Sequence, residues 1–299
     1  MTNMPRPFKG TYTALVTPFL ADGSIDISSL SILLDVQIAA GIEGVVLCGS
    51  TGEGATLSFD EKISAVRFAV ERSQGRIQVV AGTGTNDTKS AVQTTRAAKA
   101  AGAYGALVVT PYYNKPSDSG LRAHFRAISE AAGEMPLVLY NVPGRTAQNL
   151  NAELQLQIAE ECPNVAATKE SSGNVEQIME IIHHAPANFS VLAGDDSYAL
   201  PMIAAGAHGV VSVISNIAPA DFGGCVRSAL IGDFEEARSI HYRLFPLMKA
   251  NFIESNPIPV KAALAMMGYC QEQYRLPMAP MHPNNKSTYR KILTEAGIL

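Results

Sequence analysis

Eight short apolar runs alternate with helical patterns between Thr11 and Asp233, and this alternation constrains the fold more than any other feature of the chain. The runs are Thr11 to Phe19, Gly44 to Cys48, Ile77 to Ala81, Gly105 to Thr110, Pro136 to Tyr140, Asn164 to Lys169, Phe189 to Ala193 and Gly209 to Ile214. Each is dominated by β-branched or aliphatic residues, which suit strands. Helix signals fill several of the gaps. Gly41 closes a helix over about 28–40, and Ser58 with Glu61 makes a capping box for a helix reaching about Ser73. Further helices are predicted over about 87–101, 117–132 and 152–161, and one capped by Asn174 with Gln177 at the box position.

A strand that is apolar on every residue is hidden on both faces, so its neighbours run parallel and a helix makes each crossover. Eight such units close into a (β/α)8 TIM barrel, assigned to residues 1–232. Beyond it the alternation stops. The segments 234–252, 257–268 and 284–296 read as helices, which makes 233–299 a C-terminal helical extension. A doubly wound open sheet would show a dinucleotide fingerprint, but Gly82-Thr83-Gly84 lacks the third glycine, and no phosphate-cradling loop is present.

The formal charge of −4 supplies no basic field for nucleic acid or anionic lipid. No apolar run approaches the ~20 residues of a membrane span, and Met1 to Pro7 lacks the apolar core of a secretion signal, so a cytoplasmic protein is expected. Cys48, Cys162, Cys225 and Cys270 lack paired spacing and read as reduced, buried thiols. The histidines are equally scattered, so neither a metal nor a cofactor is expected.

In such a barrel the carboxyl ends of all strands face one rim, where barrel enzymes carry their active sites. That rim would hold Ser50, Thr51, Tyr113, Tyr140, Arg145, Lys169, Gly194 and Asp195. Lys169 ends an apolar run, and a lysine there is either emerging into solvent or a desolvated amine nucleophile. An amine attacking a ketone makes an imine, an electron sink that allows a neighbouring C–H to be deprotonated. Tyr140 can shuttle protons, Ser50 can link it to a second tyrosine, and Arg145 can grip a carboxylate. The N–H groups of Gly49 to Gly52 can form an anion nest. Taken singly, each has a plainer reading: Tyr140 as packing, Gly49 to Gly54 as a tight turn, Arg145 as half of an ion pair, Asp195-Asp196 as helix caps. Their joint occurrence at successive exits favours a site.

Gly49-Ser50-Thr51-Gly52-Glu53, Tyr112-Tyr113-Asn114, Tyr140-Asn141-Val142-Pro143-Gly144-Arg145-Thr146, Lys169-Glu170, Gly194-Asp195-Asp196 and Asn256-Pro257-Ile258-Pro259-Val260-Lys261 resemble the dihydrodipicolinate synthase family. The match runs in order over nearly the whole chain; the glycine motif and the lysine are shared with related pyruvate-dependent aldolases. The resemblance implies condensation of pyruvate with L-aspartate-4-semialdehyde, on the route to lysine and diaminopimelate. It makes Lys169 the Schiff-base lysine, Tyr140 and Ser50 the proton relay, and Tyr113 a second relay tyrosine that crosses into a partner's site. Thr51, Val211 and Gly194 would meet substrate, and Arg145 the semialdehyde carboxylate. It further implies a homotetramer built as a dimer of dimers.

Departures from the family pattern matter too. Ser50 stands where many members carry threonine, and Val211 where isoleucine is common. Asn86 and Tyr112 match the lysine-feedback pocket, but Phe59, Lys62 and Ser90 replace the histidine, histidine and glutamate of lysine-sensitive members, so feedback is expected to be weak or absent. Two other functions remain open at this point. One is a sibling aldolase acting on N-acetylneuraminate or a 2-keto-3-deoxy sugar acid, which Arg145 argues against; the other is a barrel that only binds pyruvate.

Overall fold

The computed structural model describes residues 7–299. Strands β1 (Gly10–Ala14), β2 (Gly44–Leu47), β3 (Gln78–Gly82), β4 (Gly105–Val109), β5 (Leu137–Asn141), β6 (Val165–Glu170), β7 (Ser190–Ala193) and β8 (Gly209–Ser212) pair in that order, all parallel, and β8 closes on β1. The stretch up to Arg6, on which the expectation about a secretion signal rests, lies outside the described residues.

The closed barrel explains the apolar runs. Val46, Val80, Leu107, Val138, Leu192 and Val211 fill the interior. Their strand neighbours, among them Val45, Val79, Val108, Leu139 and Val191, pack outward against the helices. Side chains alternate between the two sides of a strand, and here both sides are dry. Two outward hydroxyls are matched by helix amides: Thr13 donates to Gln37 Oε1 at 2.6 Å and Thr168 to Gln155 Oε1 at 2.7 Å. Such pairing is what burial of a polar group requires.

The helices that follow the strands are α1 (Ile27–Ala39), α2 (Phe59–Ser73), α3 (Thr88–Ala100), α4 (Asp118–Ala132), α5 (Pro143–Thr146), α6 (Ala152–Glu161), α7 (Val175–His184), α8 (Asp196–Ala204) and α9 (Pro219–Leu230). Ser58 and Glu61 form the expected capping box on α2. Asn174 caps α7, but the Gln177 side chain does not reach back to it; it donates instead to Glu170 Oε2 at 2.8 Å. The first strand is shorter than its apolar run, because from Val16 to Phe19 the chain has left the ladder for the rim while staying buried. The stretch following β5 is not simple loop: α5 is a single helical turn with Pro143 at its first position, where a missing N–H costs nothing.

The extension is α10 (Phe234–Ala250), α11 (Ile258–Met266) and α12 (Pro283–Glu295). Leu244, Leu247, Val260, Leu264, Tyr289 and Leu293 belong to the same apolar core as the outer barrel layer. Arg275 ties this part to the barrel, donating to the Glu61 carboxylate and to the Gly23 and Thr56 carbonyls. The guanidinium beside Glu61 holds its carboxyl down from 4.5 to about 2. A carboxylate whose folded pKa is depressed contributes stability that is present above its unfolded value and lost on acidification. Thermal midpoints of wild type and Glu61→Gln are therefore expected to differ at pH 6 and to converge as the pH falls from about 4.5 toward 2. A gap that does not narrow with acid would contradict this coupling.

Candidate active site

Strand geometry puts Tyr140 and Lys169 side by side. They are register partners on β5 and β6, and both point into the barrel, where Lys169 is 6% exposed. The Lys169 Nζ lies over the Tyr140 ring, 4.2 Å from its centroid. A ring face attracts a lysine head group, so Tyr140 is an electrostatic partner for this side chain. The neighbouring Glu170 points the opposite way. Its carboxylate accepts from Asn141 Nδ2 at 2.8 Å, Gln177 Nε2 at 2.8 Å, Gln155 Nε2 at 3.2 Å and the Ser172 N–H at 3.2 Å. Four neutral donors thereby clamp β5, β6, α6 and α7 around the Tyr140–Lys169 pair.

A cavity of about 250 Å³ opens on the rim beside them, with Tyr140, Ser50, Arg145, Lys62, Thr85 and Tyr112 on its walls. Tyr140 is the group that this cavity and the amine share. Ser50 belongs to the loop leaving β2, which turns at Cys48 (φ 58°) and Glu53 (φ 50°). A Cβ on Gly54 would overlap the Cys48 carbonyl, so only glycine closes the loop there. Burial pushes the Cys48 thiol up to about 12, which leaves it protonated and unreactive although it also lines the cavity.

Thr51 is buried, and its hydroxyl accepts from Asn256 Nδ2 at 2.9 Å. Arg145, on α5, donates to the Asn256 carbonyl at 3.3 Å. One residue of the extension therefore holds two of the expected substrate contacts. Val211 sits in the barrel interior with Tyr140. Just beyond it, Asp196 accepts from the Val213 N–H at 3.2 Å and the Ile214 N–H at 2.8 Å, while burial raises its carboxyl to about 6. Asp195 caps α8 by accepting from the Ser197 N–H at 2.9 Å. Gly194 supplies room rather than a donor side chain: a Cβ there would stand 3.1 Å from Lys169 Cε and overlap the Ser171 hydroxyl.

Tyr113 is not gathered with the others. It is 90% exposed, on a backbone at φ 74° that a bulky residue seldom adopts. The residues that sequence reasoning missed are Asn256 as a clamp and the buried pair of Glu53 with Lys261. Their side chains are 2% and 0% exposed, and Lys261 also donates to the Gln273 carbonyl at 3.0 Å. Desolvation pulls the Lys261 ammonium below its usual value, against the opposing pull of Glu53. A signal existed, since both lie inside motifs noted for other members, but a charged residue in a motif reads as site or surface before it reads as buried framework. No group of three metal-ligating side chains occurs among the described residues, and none of their helices is long and apolar enough to cross a membrane.

Fold and rim together define the class: a closed (β/α)8 barrel with a buried amine at the exit of its sixth strand. The Dihydrodipicolinate synthetase family model matches residues 7–296, and the chain belongs to that family. It is 46% identical over 291 residues to the 4-hydroxy-tetrahydrodipicolinate synthase of Aquifex aeolicus, covering 97% of this chain and 98% of that one. The crystal structure of dihydrodipicolinate synthase from the same organism superposes with a TM-score of 0.95 at 45% identity, over 97% of this chain and 99% of the other. The enzyme from Cyanidioschyzon merolae, solved with lysine bound, gives 0.96 at 38% identity, over 99% and 100% of the two chains.

Proposed function

We propose that this chain condenses pyruvate, held as a Schiff base on Lys169, with L-aspartate-4-semialdehyde to give 4-hydroxy-tetrahydrodipicolinate. The observation that carries the reading is the buried Lys169 amine over the Tyr140 ring, beside a cavity that Arg145 and Ser50 also line. The amine adds to the pyruvate ketone and water leaves, forming the imine. Loss of a methyl proton through Tyr140 gives the enamine, whose carbon attacks the aldehyde. Ser50 passes the proton on, and Thr51 and Val211 flank the bound keto acid. The full relay includes Tyr113 from a second copy, which its exposure here supports, within a cytoplasmic homotetramer.

Borohydride reduction in the presence of pyruvate is expected to add the mass of the reduced pyruvate adduct at Lys169, and the enzyme to consume aspartate semialdehyde in a coupled assay. Absence of the adduct would overturn the Schiff-base reading; an adduct without turnover of the semialdehyde would shift the substrate to a sugar acid.

Arg145→Ala is expected to raise KM for the semialdehyde roughly 10- to 100-fold, because a charged hydrogen-bond pair to its carboxylate is lost. Adduct formation with pyruvate should be unaffected, and equal effects on both substrates would contradict the assignment. Lysine feedback is expected to be weak or absent. Lys62 sits on the cavity wall, where it would repel an incoming ammonium, and the Ser90 hydroxyl is occupied by Asp87. Strong inhibition by micromolar lysine in a rate titration would refute this.

A further inference from the structure

Ser171 stands two residues beyond Lys169, and the alternation of an extended chain carries both side chains to the same side. Its N–H prolongs the β5–β6 ladder by donating to the Asn141 carbonyl at 2.9 Å. Its hydroxyl is buried, yet no protein group accepts from it or donates to it. Thr13 and Thr168 have paired buried hydroxyls, while those of Thr11, Ser73 and Ser190 are unpaired like that of Ser171; of these four, Ser171 is the one that stands across Gly194 from Lys169. A buried polar group without a partner is costly to the fold and points to a role outside it.

The surroundings say what that role is. Across Gly194, Ser171 Oγ and Lys169 Cε crowd the same space, since a single methyl group placed there would meet both. Ser171 also borders a cavity of about 120 Å³ shared with Asp195 and Tyr198. The other polar groups close by are engaged elsewhere: Glu170 by four donors facing outward, Asp195 by the cap of α8. The serine hydroxyl is thus a hydrogen-bonding group with no partner in the fold, set next to the reacting amine in addition to Tyr140.

We infer that Ser171 is a further substrate-contacting residue, whose hydroxyl donates a hydrogen bond to the ketone oxygen of the keto acid as that oxygen leaves during imine formation on Lys169. This rests on the Schiff-base reading above. The Nζ lone pair forms the C–N bond, the carbonyl π pair moves to oxygen, and a nitrogen proton is passed to that oxygen to give a carbinolamine. The nitrogen lone pair then forms C=N as the C–O bond breaks, and the oxygen takes one more proton from the tyrosine relay and departs as water. Ser171 gains and loses no proton in either stage. It stabilises negative charge on oxygen, and it can do so only while substrate is attached to the lysine.

Single-turnover borohydride trapping of the pyruvate adduct, with thermal midpoints measured on the same preparations, tests this in wild type and Ser171→Ala. The variant is expected to form the adduct about 10-fold more slowly. Its midpoint should be unchanged or higher, because the hydroxyl satisfies nothing in the fold. KM for the semialdehyde should not move. An unchanged trapping rate overturns the inference, and so does a lowered midpoint, which would give the hydroxyl a structural task. If wild type itself forms no adduct, the Schiff-base reading falls first, so the two failures are told apart.

Discussion

Lys169→Ala is expected to lower kcat by at least about 10³-fold and to abolish the pyruvate adduct trapped by borohydride. The size follows from the site's composition. The Tyr140 ring lies against the amine, and the serine, threonine and arginine side chains of the cavity beside it cannot form the covalent electron sink in its place; Lys62, the other amine on that wall, stands on α2 and not at a strand exit. The fold should survive, since Lys169 has no carboxylate partner to strand when it is removed; a midpoint within a few degrees of wild type would show this. Lys169→Arg makes the sharper control: it keeps the positive charge over Tyr140, but a guanidinium stays protonated and cannot add to a ketone. An alanine variant that kept a tenth of wild-type turnover would exclude imine catalysis at this position.

Lys261→Met is expected to cost about 3–5 kcal/mol, because it leaves the Glu53 carboxylate buried without its counter-charge. At about 2–4 °C per kcal/mol for a chain of this size, the thermal midpoint should fall by roughly 10 °C. Methionine fills nearly the same volume, so the loss reports charge and not packing. The pair also bears on activity: Glu53 closes the loop that carries Ser50 and Thr51, and Lys261 belongs to α11 of the extension. Removing both charges with Glu53→Gln and Lys261→Met should restore much of the stability, since an intact buried pair contributes little over a neutral substitute. A single variant melting within about 2 °C of wild type would show that Glu53 is adequately held by the Arg275 N–H, which donates to its other oxygen at 3.2 Å.

Much of this site was legible in the chain because the barrel makes it so. Tyr140 and Lys169 end consecutive strands, and parallel pairing in register sets them side by side without further information. Ser50, Thr51 and Arg145 followed from the same rule of strand exits. Asn256 did not, for it lies 111 residues from Arg145 and 205 from Thr51, and nothing in local periodicity says which rim a C-terminal extension will reach. Ser171 was passed over for another reason: a serine after a strand reads as loop, and only a missing partner together with its place across Gly194 from Lys169 sets it apart.

The sequence by itself determined the alternation of strands and helices, the closure of eight units, and the residue types gathered at one end, because backbone periodicity and burial on both faces are local properties of the chain. Tertiary structure decided the rest. It joined Glu53 and Lys261 into a buried pair, left Tyr113 exposed, and placed Asn256 between Thr51 and Arg145. Those are pairings between distant segments, whose worth depends on which groups lose water together.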